Sequence, residues 1–164
     1  MLITPHVAIG CAIGAKIDNP YLVALLSFAS HYLLDMLPHY DSGVRHGNPQ
    51  GKITFDLWDW VLVIGDILLA LAMMWYFYEI NQDINIIIGG MTTFMVDFLD
   101  KIFFVSWKNG KLSLVKDRYI PVISEMNRFH KKVHYKLSLN KWYWGVVIQL
   151  IVLIVGGYIC LLKY

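Results

Sequence analysis

The chain has 164 residues, 57% of them hydrophobic and only 16% charged, with a mean hydropathy of +0.52. Soluble domains run at about 45–50% apolar and about 25% charged, so this balance points to a single membrane domain. A formal net charge of +2 removes the electrostatic case for nucleic-acid binding.

The start, MLITPHVAIGCAIGAKI, has no basic stretch before its apolar run and carries Pro5 and His6. It reads as retained structure rather than as a cleaved signal. Residues 1–37 form an expected helical hairpin, with runs Ile3–Ala15 and Tyr21–Leu37 divided by KIDNP, where Asn19-Pro20 is a turn signal. A span needs about 20 apolar residues, so the first run is short and reads as a half-helix or a tilted one. A loop rich in Gly, Asn and Asp follows. Residues 60–105 then hold two expected spans, Trp60–Ile80 and Ile84–Val105.

After a polar stretch, residues 119–137 read as an amphipathic surface helix, with Ile123, Met126, Phe129, Val133 and Leu137 at helical spacing among basic residues. Residues 142–162 make the last span, opened by an aromatic belt of Trp142, Tyr143 and Trp144. The expected class is all-α: a polytopic membrane helical bundle of four to five transmembrane helices plus one interfacial helix. Cys11 and Cys160 lie in apolar stretches far apart and read as small core hydrophobes.

Basic residues predict the orientation. The connection before the last span carries Lys108, Lys111, Lys116, Arg118, Arg128, Lys131, Lys132, Lys136 and Lys141, which makes it cytoplasmic, together with the N-terminus. Counting spans backwards from there brings His6, His31, Asp35, His39, Asp41, Asp56, Asp59, Asp66, Asp97, Asp100, His130 and His134 toward one membrane face. That convergence suggests a metal site.

Three stretches carry it. In SHYLLDMLPHYD, positions 31, 35 and 39 step by four and share a helix face, offering imidazole, carboxylate and imidazole to zinc or a similar divalent ion. Pro38 predicts that the helix stops near Leu37, with His39 turning back from the loop. TTFMVDFLDKIFF buries Asp97 and Asp100 in a span, where a carboxylate costs about 2.5–3.5 kcal/mol and calls for a partner. A metal ion supplies that charge; an ion pair with Lys101 beside a protonated aspartate is the alternative. FHKKVH holds His130 and His134 at i, i+4 but lacks the intervening glutamate of zinc proteases. Headgroup contacts explain His130 and His134 equally well, and His6 taken by itself would read as a polar cap. His46 in the Gly-rich loop and Asp56 and Asp59 at the start of a helix carry the least weight.

Ser30, His31 and Asp35, with His6 upstream, resemble motifs of the predicted inner-membrane-bound, metal-dependent hydrolases, small multi-helix proteins of bacteria and archaea. Two further family motifs are absent here, a His-Arg-x-x-Thr-His-Ser signature and an Asp-rich stretch between the first two helices. The resemblance implies hydrolysis at the inner membrane. More distantly, the helical His/Asp clusters look like those of zinc-dependent phospholipases C, which makes a phosphoester or lipid-linked substrate natural.

The resulting expectation is a divalent metal, zinc or else manganese, on His6, His31, Asp35, Asp97 and His130. His39 or Asp100 would serve as catalytic base, and membrane lipids as partners. The rival expectations are a small proton-coupled carrier and a non-catalytic membrane scaffold.

Overall fold

The computed structural model describes residues 2–39, 57–108, 111–114, 129 and 142–162, with side chains at 99–108, 111–114 and 142 outside that description. Five helices appear among these residues: α1 (Ile3–Gly14), α2 (Pro20–Asp35), α3 (Leu57–Asn81), α4 (Ile84–Phe104) and α5 (Trp142–Leu161). Two of them, over Leu57–Asn81 and Tyr143–Leu161, are long and apolar enough to cross a membrane. Leucines and isoleucines such as Leu68, Leu69 and Ile154 stand exposed on their outer faces. An apolar exterior of this kind suits a lipid surround and would be a liability in water.

α1 and α2 form a helical hairpin divided at Asn19-Pro20. The Asn19 side chain accepts hydrogen bonds from the Tyr21 and Leu22 amides at 3.0 and 3.2 Å, and Pro20 occupies the first position of α2, where no amide is needed. α2 ends at Asp35, slightly earlier than Pro38 alone would require; the Met36 and Leu37 amides close it on Leu33 and Leu34. α3 and α4 are joined by a tight turn in which Gln82 adopts φ 54°, with Asp83 accepting from the Asn85 amide at 2.8 Å.

The five elements that build the bundle are all helical, and one short segment after α4 is a strand pair. The helix expected to run through Val105 stops at Phe104, and Val105–Lys108 (β1) pairs antiparallel with Lys111–Leu114 (β2), Val105 opposite Leu114 and Lys108 opposite Lys111. The intervening Asn-Gly dipeptide is the strongest short-range hairpin signal, and its local preference wins once the apolar run ends. The amphipathic helix expected over 119–137 lies outside the described residues, except Phe129.

α1 is the axis of the bundle and packs against all four other helices. Its contact with α4 is backbone on backbone: a Cβ added at Gly10 or Gly14 would overlap the Gly89 or Asn85 carbonyl. Small residues four apart let helices approach this closely where no hydrophobic effect drives them together. Across α1, Gly156 of α5 lies against Ala8 in the same way.

Side-chain hydrogen bonds set the register. At one end Lys16 Nζ donates to the Leu162 carbonyl at 2.6 Å, and Asn85 Nδ2 donates to the Ile17 and Asp18 carbonyls at 3.1 and 3.0 Å. Asn81 Nδ2 donates to the Cys160 carbonyl at 3.2 Å at that same end. At the other end α1 begins level with Asp66, nine residues inside α3. At 1.5 Å per residue that is a recess of roughly 13 Å, so α1 is a half-length helix starting deep in the bundle.

Candidate metal centre

The antiparallel hairpin brings the first turn of α1 beside the last turn of α2, and α4 closes the third side. His6 comes from α1, His31 and Asp35 from α2, and Asp97 from α4. The four-residue step from His31 to Asp35 puts both on the face that meets α1. All four are buried: His6 and His31 at 0% exposure, Asp35 at 1% and Asp97 at 9%.

The Asp35 carboxylate sits between the two imidazoles. Oδ1 lies 3.2 Å from His6 Nε2, and Oδ2 lies 3.3 Å from His31 Nε2. The two rings stack with centroids 4.1 Å apart and planes 22° from parallel. One donor atom from each of the three residues lies within 4.8 Å of the others. Zinc binds nitrogen and oxygen at about 2.0–2.2 Å, so neighbouring donors in a tetrahedral site lie about 3.3–3.5 Å apart. The His–Asp separations are therefore already close to those of a ligand shell. Asp97 Oδ1 stands 4.0 Å from His31 Nε2, one small side-chain movement from the same centre.

The far nitrogen of His6, Nδ1, is buried without a hydrogen-bond partner among the described residues. Metal-bound histidines usually donate that nitrogen to a fixed acceptor or a water. The donor set fits a divalent ion: two imidazoles and one carboxylate leave room for a water, and a second carboxylate waits alongside. With both aspartates ionised, a divalent cation neutralises the pair in a site where an uncompensated charge is costly.

His39 is also buried, at 1% exposure, and hydrogen-bonds the Leu37 carbonyl through Nδ1 at 2.8 Å. This leaves its Nε2 as the basic nitrogen. It is not part of the three-residue cluster. Asp100 belongs to α4 by its backbone, and its side chain lies outside the described residues, as do His130, His134, His46, Asp41 and Asp56. Phe129, immediately before His130 in the sequence, packs edge-on against Tyr32, the residue beside His31, at 5.5 Å.

Two acids lie apart from the three-residue cluster. Asp66 accepts hydrogen bonds from the Ile3 and Thr4 amides and the Thr4 hydroxyl, so its carboxylate is satisfied by the start of α1. Asp59 lies in the first turn of α3 and is wholly buried. Sequence reasoning also missed Ser27, one turn before His31 on α2, fully buried with an Oγ that has no partner among the described residues. Its four-residue step back from His31 was the available signal. Gly10 and Gly14, spaced as Gly-x-x-x-Gly, likewise announced the close α1–α4 contact.

No protein-family model matches the chain, and neither the curated proteins nor the solved structures contain a significant match. The functional reading therefore rests on this geometry and on the residues themselves.

Proposed function

We propose that the protein is a membrane-embedded, metal-dependent hydrolase acting on a phosphoester or lipid-linked substrate. One observation carries this reading: His6, His31 and Asp35 converge, buried, at donor separations that suit a divalent ion. Three protein ligands with an open fourth position are the arrangement of catalytic zinc sites. Zinc is the first choice and manganese the second. When bound, the ion would polarise the scissile bond and lower the pKa of a coordinated water toward about 7.

The chain's own residues supply the rest. His6, His31 and Asp35 would hold the ion, and Asp97 would join them or orient the water. His39 would serve as a base or orient the water, and Asp100 and His130 remain candidates from the sequence. The motif resemblance at His6, Ser30, His31 and Asp35 supports the same assignment. α2, α3, α4 and α5 are proposed as spans with α1 as a half-helix between them, in the inner membrane with the N-terminus cytoplasmic. The basic segment following α4 would then meet anionic headgroups at the inner leaflet.

A divalent-cation carrier is the second reading, because a half-length helix beside a recessed ion site also occurs in transporters. Against it stands the α1–α4 contact. Beyond the site, toward Asn85, the backbones meet at Gly10–Gly89 and again at Gly14–Asn85 with no space even for a methyl group. An ion leaving that way would have to part the two helices.

Elemental analysis of the detergent-purified chain tests the proposal first. About one equivalent of zinc or manganese, lost in a His31→Ala/Asp35→Ala variant that still elutes as a folded species, is the expected result. Hydrolysis assays on phosphoester and lipid substrates with metal-loaded protein then separate enzyme from carrier. A folded protein that takes up no divalent ion would overturn the hydrolase reading.

A further inference from the structure

We infer that Asp66 is a positioning residue for the metal centre: from α3 it anchors the first turn of α1 and so holds His6 against Asp35 and His31. The inference rests on the metal-site reading above and adds to it a residue on a different helix from the ligands.

The need for an anchor follows from where α1 begins. The first amides of any helix lack partners within it. Here those amides open inside the bundle, and Leu2 at the cap position offers no side-chain acceptor. Pro5 has no amide at all, which leaves Ile3 and Thr4 as the exposed donors of the turn. Asp66 takes both, accepting from the Ile3 amide at 2.5 Å and the Thr4 amide at 3.1 Å. The Thr4 hydroxyl, within reach of both the Asp66 carboxylate at 2.6 Å and the Asp66 backbone carbonyl at 3.0 Å, adds a further link. A helix cap is thus provided by another helix, and its carboxylate faces the positive end of the α1 dipole.

This anchor matters to the site because of what else holds α1. The rest of the helix is fixed by the glycine contacts at Gly10 and Gly14 and by Gly156 against Ala8. Those contacts begin after His6. Ile3 and Val7 pack into the core on either side of His6, and Asp66 adds the polar anchor of that turn, so loosening it should move one ligand without unpacking the helix. The same pairing sets Asp66 apart from the metal cluster, because its carboxylate is satisfied by the start of α1.

The test measures zinc affinity of the full chain in detergent by competition with a chromophoric chelator, and the visible spectrum of the cobalt-loaded protein. It compares wild type with Asp66→Ala, Asp66→Asn, Thr4→Val and a control, Met74→Ala. Met74 is buried in the core beside Gly90 and Cys11 and makes none of the Asp66 hydrogen bonds to Ile3 and Thr4, so its loss should lower thermal stability while leaving that anchor in place.

The expected result is a loss of about 10- to 100-fold in zinc affinity for Asp66→Ala, the range seen when residues that orient metal ligands are removed. Asp66→Asn, which keeps one acceptor, and Thr4→Val should fall between, with a shifted cobalt spectrum, while Met74→Ala binds zinc as wild type does. Wild-type affinity and spectrum in both Asp66 variants would overturn the inference and leave Asp66 as a plain helix cap. Affinity losses that merely track thermal stability, Met74→Ala included, would overturn it too. Failure of the wild-type chain to bind zinc or cobalt is a different outcome, and it removes the metal reading together with the inference.

Discussion

At the scale of single residues, the centre is a carboxylate shared by two stacked imidazoles. Each imidazole must shed its proton to bind a cation, so metal affinity should fall as pH drops. Chelator competition over a range of falling pH should show zinc released toward the acid end. Affinity unchanged across that range would argue against histidine ligation. Asp97, at 4.0 Å from His31 Nε2, stands at the edge of the ligand shell. Asp97→Asn should weaken zinc binding by about 10- to 100-fold without abolishing it, as removal of an orienting carboxylate does. Complete loss would promote Asp97 to a full ligand. The His31-x-x-x-Asp35 pair was legible in the sequence because a four-residue step has one meaning on a helix. His6 was legible only as a neighbour by topology, since nothing local aims its ring.

At the scale of elements, α1 explains both the tightness and the depth of the site. Gly10→Ala puts a methyl group into the Gly89 carbonyl, and neither backbone can yield. We expect a loss of at least about 1–3 kcal/mol, the usual cost of overpacking, read as a lower unfolding temperature in detergent. Substitution of Gly65, whose added Cβ would meet nothing within 4 Å, should be nearly silent by comparison. The α3–α4 turn offers the opposite case. Gln82 holds φ 54°, a left-handed conformation that costs an ordinary side chain roughly 1–2 kcal/mol. Its side chain recovers part of that through a hydrogen bond to the Glu79 carbonyl at 2.8 Å. Gln82→Gly should therefore stabilise the chain modestly, by up to about 1 kcal/mol, and a lower unfolding temperature would show that the side-chain bond outweighs the backbone strain.

At the scale of the whole molecule, two groups of polar residues among the described ones stand at opposite ends of α1. Lys16, Asn81 and Asn85 tie the helix ends together on one side, and the His/Asp cluster occupies the recess that α1 leaves on the other. Between them runs the glycine-lined α1–α4 contact. The arrangement predicts one-sided access. In sealed vesicles of uniformly oriented protein, an impermeant chelator should strip the ion when added on the recessed side and not on the other. Zinc should also fail to cross the vesicle wall; facilitated flux above protein-free vesicles would favour the carrier reading instead.

The sequence by itself determined the helical, apolar character of the chain, the hairpin of residues 1–37 and the site's α2 half. These follow from composition and from spacings of three and four residues, which are local properties. Even the departure at Val105 was locally encoded, in the Asn-Gly of the hairpin. Tertiary structure alone decided that α1 begins level with Asp66, that His6 stacks on His31, and that Asp66 caps a helix instead of joining the metal cluster. A carboxylate in a span advertises that it needs a partner but not which one. That choice between a cation and a helix end is made by the relative depth of two helices, and depth is set by backbone contacts such as Gly10 on Gly89, far from either residue in the chain.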